Sequence, residues 1–264
     1  MVSKEKNIFI YQTAYNYLLS ILPDGIKDFD GYFSAENKEI KSLEYIFEIL
    51  IQSAQEYQRM PNVIQFINRR DEIKEILYGF DFRRVADCNP EKLYYTFRHE
   101  FNVTSKDTPQ NLWNRWTYAV VDSAKFVSQF NSVDEFKDFV SLFDYNSTTR
   151  MALPLVISTK IKGVGFALAC NFLKELGYVN YPKPDVHITD ICTALGLSDE
   201  NQYSVFEAIV QMAEDNGESP YKVDKVLWLI CSGFFHNDNI KIGRHKDEFI
   251  SLVKEEMEKK YNNY

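Results

Sequence analysis

The sequence predicts an all-α protein. Three observations carry this. Apolar residues recur at three and four positions in nearly every segment, no segment keeps up a long strand-like alternation, and helix-start and helix-stop residues punctuate the chain throughout. With 264 residues, 45% of them apolar, there is enough material for one large core or for two small ones sharing a cleft. No repeat, low-complexity tract or flexible linker interrupts the pattern. The expected division places roughly residues 60–175 in a central lobe and roughly 1–59 with 176–264 in a lobe made by both termini.

The elements follow in order. A first helix is expected over Ile8 to Ile21, stopped by Pro23-Asp24-Gly25. A second is expected from about Ala35 to Tyr57, with apolar positions Leu43, Ile46, Phe47, Leu50 and Ile51. Pro61 suits the first turn of a third, running through Phe80. Asn89-Pro90 and Thr108-Pro109 each open a helix rich in aromatics, and Ser132-Val-Asp-Glu135 reads as a capping box. A helix starting near Ser147 leads into the sequence Lys162-Gly163-Val164-Gly165. Beyond Asp185 come a short helix to Leu195, one across Tyr203 to Ala213, an apolar one from Tyr221 to Phe235, and an amphipathic one over Lys246 to Lys260.

Composition narrows the function classes. The net charge of −8 argues against a protein that holds nucleic acid by overall charge. Between Arg150 and Asp190, however, Arg150, Lys160, Lys162, Lys174 and Lys183 face only Glu175, Asp185 and Asp190, so a nucleic-acid footprint belongs in this window. The four cysteines, Cys88, Cys170, Cys192 and Cys231, lack the spacing of a zinc site or an iron–sulfur loop and read as reduced thiols, three of them in apolar helices. No stretch has the length and apolarity of a membrane span, and the N-terminus lacks a signal-peptide pattern. A cytoplasmic location is therefore expected.

The stretch from Thr159 to Asp190 is the most informative. Gly163 and Gly165 flank Val164, so the backbone can take positive φ on either side while the valine anchors inward. The turn opens into a helix whose first amides lack intrahelical partners and suit an anion such as a DNA phosphate, with Lys160 and Lys162 adjacent. That helix ends at Gly177 as a C-cap, and Tyr181-Pro-Lys-Pro-Asp185 follows. Pro184 fixes the chain before Asp185 and holds Lys183 extended. The Asp185 carboxylate then either caps the helix beginning at Val186 or is aimed into the cleft.

Assembled, these residues resemble the helix-hairpin-helix DNA glycosylases of the endonuclease III superfamily. Ile161-Lys-Gly-Val-Gly165 is similar to the family hairpin Leu-Pro-Gly-Val-Gly, and Asp185-Val-His187 to its aspartate segment at the family's separation. Over about thirty residues the resemblance implies the two-lobed all-α fold and hairpin contacts to phosphate from Lys160, Lys162, Gly163, Val164 and Gly165. It implies that Asp185 is catalytic and stands at the mouth of the cleft, with His187 in a supporting position. It also implies no cofactor beyond a monovalent cation at the hairpin carbonyls, and no metal or iron–sulfur cluster. Upstream, Ser53-Ala-Gln55 resembles the end of a family helix whose glutamine fills the gap left by an everted base; the alternative for Gln55 is a polar residue on a solvated helix end.

Two departures matter. Members that cut the strand through a Schiff base carry a lysine two residues after the last hairpin glycine, where this chain has Ala167, and Lys162 stands in place of the usual proline. The resemblance therefore implies a monofunctional glycosylase acting in base-excision repair on double-stranded DNA with a damaged or mismatched base, nucleoid-associated, removing the base without cutting the strand. Trp113, Trp116, Tyr118, Trp228, Phe234 and Phe235 supply aromatics either for a base pocket or for the core. The rival class is a non-catalytic helix-hairpin-helix DNA-binding or assembly protein.

Overall fold

The computed structural model describes residues 2–34 and 39–261 and is all-α: among them are fourteen α-helices, two short 3-10 helices and one two-residue β-hairpin. The chain forms two compact units, Met1–Asn37 with Gly177–Tyr264, and Lys38–Leu176. The central unit begins earlier than the sequence reading placed it. Residues 43–54 carry the reason: this helix packs on helices further along the central unit rather than on the termini.

The terminal unit contains α1 (Lys4–Ser20), α11 (Val186–Ala194), α12 (Gln202–Asn216), α13 (Pro220–Ser232) and α14 (Lys246–Tyr261). Their apolar stripes meet in one core. Ile10, Ala14 and Leu18 from α1, Ile191 and Cys192 from α11, Ile209 and Met212 from α12, Val226, Leu227 and Ile230 from α13, and Phe249 and Val253 from α14 are all buried together. The apolar run after Tyr221 does not remain helical to Phe235. Gly233 ends α13 as its left-handed C-cap at φ +57°, and no side chain fits there, since the Gly243 carbonyl oxygen lies 1.5 Å from where a Cβ would stand. From there β1 (Phe234–Phe235) pairs antiparallel with β2 (Ile240–Lys241).

The central unit contains α2 (Leu43–Ala54), α3 (Met60–Ile64), α4 (Arg70–Ile76), α5 (Phe82–Ala86), α6 (Pro90–Glu100), α7 (Leu112–Val127), α8 (Val133–Phe143), α9 (Ser147–Lys160) and α10 (Phe166–Glu175). The residues from Ala35 that were expected to begin the second helix include 35–38, which lie outside the described residues. The helix expected to run from Pro61 to Phe80 is broken, because Gln65 ends α3 in the left-handed region at φ +54° and Tyr78 and Phe80 also take positive φ. The helix opened by Thr108-Pro109 starts at Leu112, capped by Asn111 through Trp113 N. Ser132 caps α8 as expected, but Glu135 reaches back one residue further, accepting from the backbone and side-chain nitrogens of Asn131.

Helix α7 is the axis of this unit, packing on α2, α3, α5, α6 and α9. Trp113 and Trp116 lie in an aromatic cluster with Phe97 and Phe101 at centroid separations from 4.9 to 5.8 Å. Trp116 is fully buried, and its indole N–H donates to the Ile51 carbonyl at 2.9 Å. That oxygen lies in the last turn of α2, whose carbonyls lack intrahelical donors, so the indole acts as a remote cap. Replacing Trp116 by Phe keeps most of the ring volume and removes this donor. The expected loss is about 1–3 kcal/mol in urea unfolding, and an unchanged midpoint would show the bond to be dispensable.

Candidate functional site

The chain from α9 to α11 contains every element read from the sequence, and the details assign each residue a job. At the turn, Ile161 N donates to Ile157 O and Val164 N to Ile161 O, both at 3.2 Å. The amide of Lys162 donates to Asp122 Oδ2 on α7 at 3.2 Å, which pins the turn to the axial helix of its unit. Val164 is buried, as an anchor should be.

The two glycines do different things. Gly163 takes φ +90°, a conformation costly for a residue with a Cβ, although the nearest atom to an added Cβ is Arg115 O at 3.8 Å. Gly165 is extended at φ −83° and ψ 177°, and nothing lies within 4 Å of an added Cβ. The expectation of positive φ on both sides of Val164 therefore holds only at Gly163, because Gly165 is the N-cap of α10 and caps favour extended backbone. Without a side chain at this cap, the first turn of α10 has no side-chain cap and stands next to exposed Lys160, Lys162 and Gly163. The Lys162 ammonium lies 4.2 Å from the centre of the Tyr118 ring. Ala167 is the second residue of α10 and half-buried.

In the terminal unit, the loop before α11 is fixed from both sides. Tyr181 is fully buried, and Val179 O accepts from Tyr221 N at 2.9 Å. Asp224 lies on α13, 1% exposed, and its Oδ2 accepts from Lys183 N at 3.0 Å. This carboxylate was not singled out in the sequence. Its only signal there was a charged residue on the apolar side of an otherwise core-forming helix.

Asp185 then serves as N-cap of α11. Its Oδ1 accepts from His187 N at 2.9 Å and Ile188 N at 3.2 Å, while its own amide donates to Lys183 O at 2.8 Å. Oδ2 takes no hydrogen bond among the described residues. The capping interaction is thus present, and it occupies one of the two carboxylate oxygens. Burial pushes the Cys231 thiol up to about 12; Lys246 opposes this, and the charges of Asp185, Asp190 and Asp247 add to it. Among the described residues the His187 imidazole makes no hydrogen bond, and the His187 carbonyl accepts from Cys231 Sγ at 3.8 Å.

Gln55 is 4% exposed, with Oε1 accepting from Phe66 N at 3.1 Å. It stands neither on a solvated helix end nor on the surface, where a wedge would have to stand, because the chain breaks helix at Gln65 and the amide of the next residue needs a buried acceptor. Of the aromatics, Trp113, Trp116 and Phe235 are core, Trp228 and Phe234 are partly buried, and Tyr118 lines a cavity on the central unit. Lys160, Lys162, Gly163, Val164, Gly165 and Gln55 belong to the central unit, and Asp185 and His187 to the terminal unit. No helix among the described residues is long and apolar enough to cross a membrane.

Comparison with protein-family models, with curated proteins and with solved structures found no match to this chain.

Two outcomes test these assignments. Gly163→Ala is expected to cost about 1–2 kcal/mol through its positive φ, and Gly163→Asn less, since asparagine tolerates that region, both read by chemical denaturation; equal losses would refute the conformational explanation. At the second cap, Asp185→Asn should leave stability nearly unchanged, since asparagine caps as well as aspartate, whereas Asp185→Ala should cost about 1 kcal/mol. A thermal melt separates the two, and a large loss in the asparagine variant would assign Asp185 a role beyond the cap.

Proposed function

We propose that the protein is a monofunctional DNA glycosylase that removes a damaged or mismatched base by hydrolysing its N-glycosidic bond. The observation that carries this reading is the Asp185 carboxylate, half-buried, held through Oδ1 by two backbone amides with Oδ2 left unbonded. A cap needs one oxygen. A carboxylate that is rigidly held and still has an acceptor to offer suits a reaction in which positive charge develops on a sugar.

In such a reaction the bond from the sugar carbon to the base lengthens, and the anion stabilises the oxocarbenium-like sugar without reorganising. A water adds to that carbon and gives up its proton, for which Oδ2 is the available acceptor. The base departs and an abasic site remains. Removal from the stack costs least for a damaged or mispaired base, which supplies part of the selectivity. The turn at Gly163–Gly165 with Lys160 and Lys162 serves as the grip on the phosphodiester backbone, the uncapped helix end and the two ammonium groups acting together. Ala167 has no amine with which to form an imine, so a strand cut by that route is not part of the proposal.

The Asp185 cap also favours a second reading, in which the carboxylate does no more than start α11 and the protein binds or organises DNA without excision. The two separate in one experiment. Duplexes carrying a single 8-oxoguanine, uracil, alkylated purine or mismatch are incubated with protein and then treated with alkali to cut at abasic sites. The enzyme reading expects cleavage after alkali on at least one substrate, none without alkali, no borohydride-trapped adduct, and loss of about a hundredfold or more in Asp185→Asn. Binding to every duplex with excision of none would leave the second reading standing.

A further inference from the structure

The central unit carries a cavity of about 650 Å³ beside the Gly163 turn. Its lining brings Lys162 and Arg115 together with Glu91, Asp107, Tyr95 and Asn114. Neither Lys162 nor Arg115 is ion-paired with any described residue. Each is instead held against an aromatic face, Lys162 over Tyr118 at 4.2 Å and Arg115 over Tyr57 at 4.4 Å. The lining also holds the carboxylates of Glu91 and Asp107, so the cavity carries two cations and two anions, with no ion pair between them among the described residues. An aromatic face beneath each cation keeps it in place without neutralising it.

Part of the lining is built to accept. Asp107 takes the hydroxyls of Tyr94 at 3.1 Å and Tyr95 at 3.0 Å, one on each carboxylate oxygen. Each oxygen has a further lone pair, so the carboxylate can accept again. Tyr95 is 57% exposed, with its hydroxyl tied down by Asp107, so its ring is an oriented open face. Asn114 adds an amide that both donates and accepts.

We propose that this cavity is a binding site for a nucleoside 5′-phosphate, free or as an unpaired nucleotide of a DNA strand. Lys162 and Arg115 take the phosphate, the base stacks on Tyr95, and the base's N–H groups face Asp107 and Asn114. A phosphate alone would leave the aromatic and acceptor groups unused, and an uncharged nucleoside would leave two cations unpaired. The combination is what a nucleotide presents. The site lies within the central unit and shares Lys162 and Gly163 with the proposed backbone grip but does not use Asp185, so loss of excision by itself does not remove it.

Titration of the full-length chain by NMR or calorimetry tests it, with deoxyadenosine 5′-monophosphate, deoxyadenosine and inorganic phosphate as probes. A second arm compares a duplex bearing one unpaired terminal nucleotide with the blunt duplex. The proposal expects either the mononucleotide to bind at least roughly tenfold more tightly than both fragments, which identifies a free ligand, or the overhang to bind roughly tenfold more tightly than the blunt end, which identifies a strand. Arg115→Gln and Tyr95→Ala should each weaken that binding roughly tenfold, with unchanged circular dichroism. Tyr95→Ala removes an exposed ring and keeps the fold, so loss of binding there is not a folding effect. Inorganic phosphate binding as tightly as the mononucleotide, or no preference in either arm, overturns the proposal. Loss of excision in Asp185→Asn with nucleotide binding retained keeps this site; absence of excision from the wild type with nucleotide binding retained removes only the glycosylase reading.

Discussion

A buried carboxylate on α13 sets the geometry on which the candidate chemistry rests. Asp224 is 1% exposed, and its Oδ2 accepts from the amide of Lys183, inside the Tyr-Pro-Lys-Pro-Asp segment. Charge is expensive to bury and stays only where it is well bonded. Here the bond holds an extended loop against the helix that also supplies much of the terminal unit's core. With Lys183 fixed, Pro184 allows little freedom, and Asp185 arrives at the start of α11 with its Oδ1 already in contact with two amides. The rigidity of one carboxylate is thus imposed by another that never reaches solvent.

The central unit reaches a similar result by different means. Its turn is pinned by Asp122, which accepts from Lys162 N, and by burial of Val164. The Asp122 bond leads to α7, the helix that holds the aromatic core through Trp113 and Trp116. What remains exposed at the turn is therefore a fixed pattern of amides and ammonium groups rather than a mobile loop. Arg115 and Tyr118, on the same helix, extend that pattern into the adjoining cavity. Recognition of an anion gains from such preorganisation, because little ordering is left to be done on binding.

The fold class was legible because helical periodicity is a local property: Leu43, Ile46, Phe47 and Leu50 announce their helix whatever surrounds them. Caps at Ser132, Asn89 and Asp185 were legible for the same reason. The breaks were not. Gln65, Tyr78 and Phe80 carry side chains that give no warning of positive φ, and they adopt it because packing across the unit outweighs local preference. Gly233 was readable as a glycine but not as a position closed to any side chain, since the Gly243 carbonyl that fills the space returns from ten residues later. Gln55 misled for a related reason. A polar residue at a helix end looks solvated until the chain that covers it is known.

By itself, the sequence determined the helices, the turn at Gly163 to Gly165 and the delivery of an aspartate by Pro184, since each follows from the conformational limits of a few adjacent residues. Only the tertiary structure decided the partners: Asp122 for the turn, Asp224 for the loop, Ile51 for the indole of Trp116, and the cations and acceptors that line one cavity. These contacts join residues that are tens of positions apart. No local preference encodes them, because their energy comes from groups that meet only after the helices have packed.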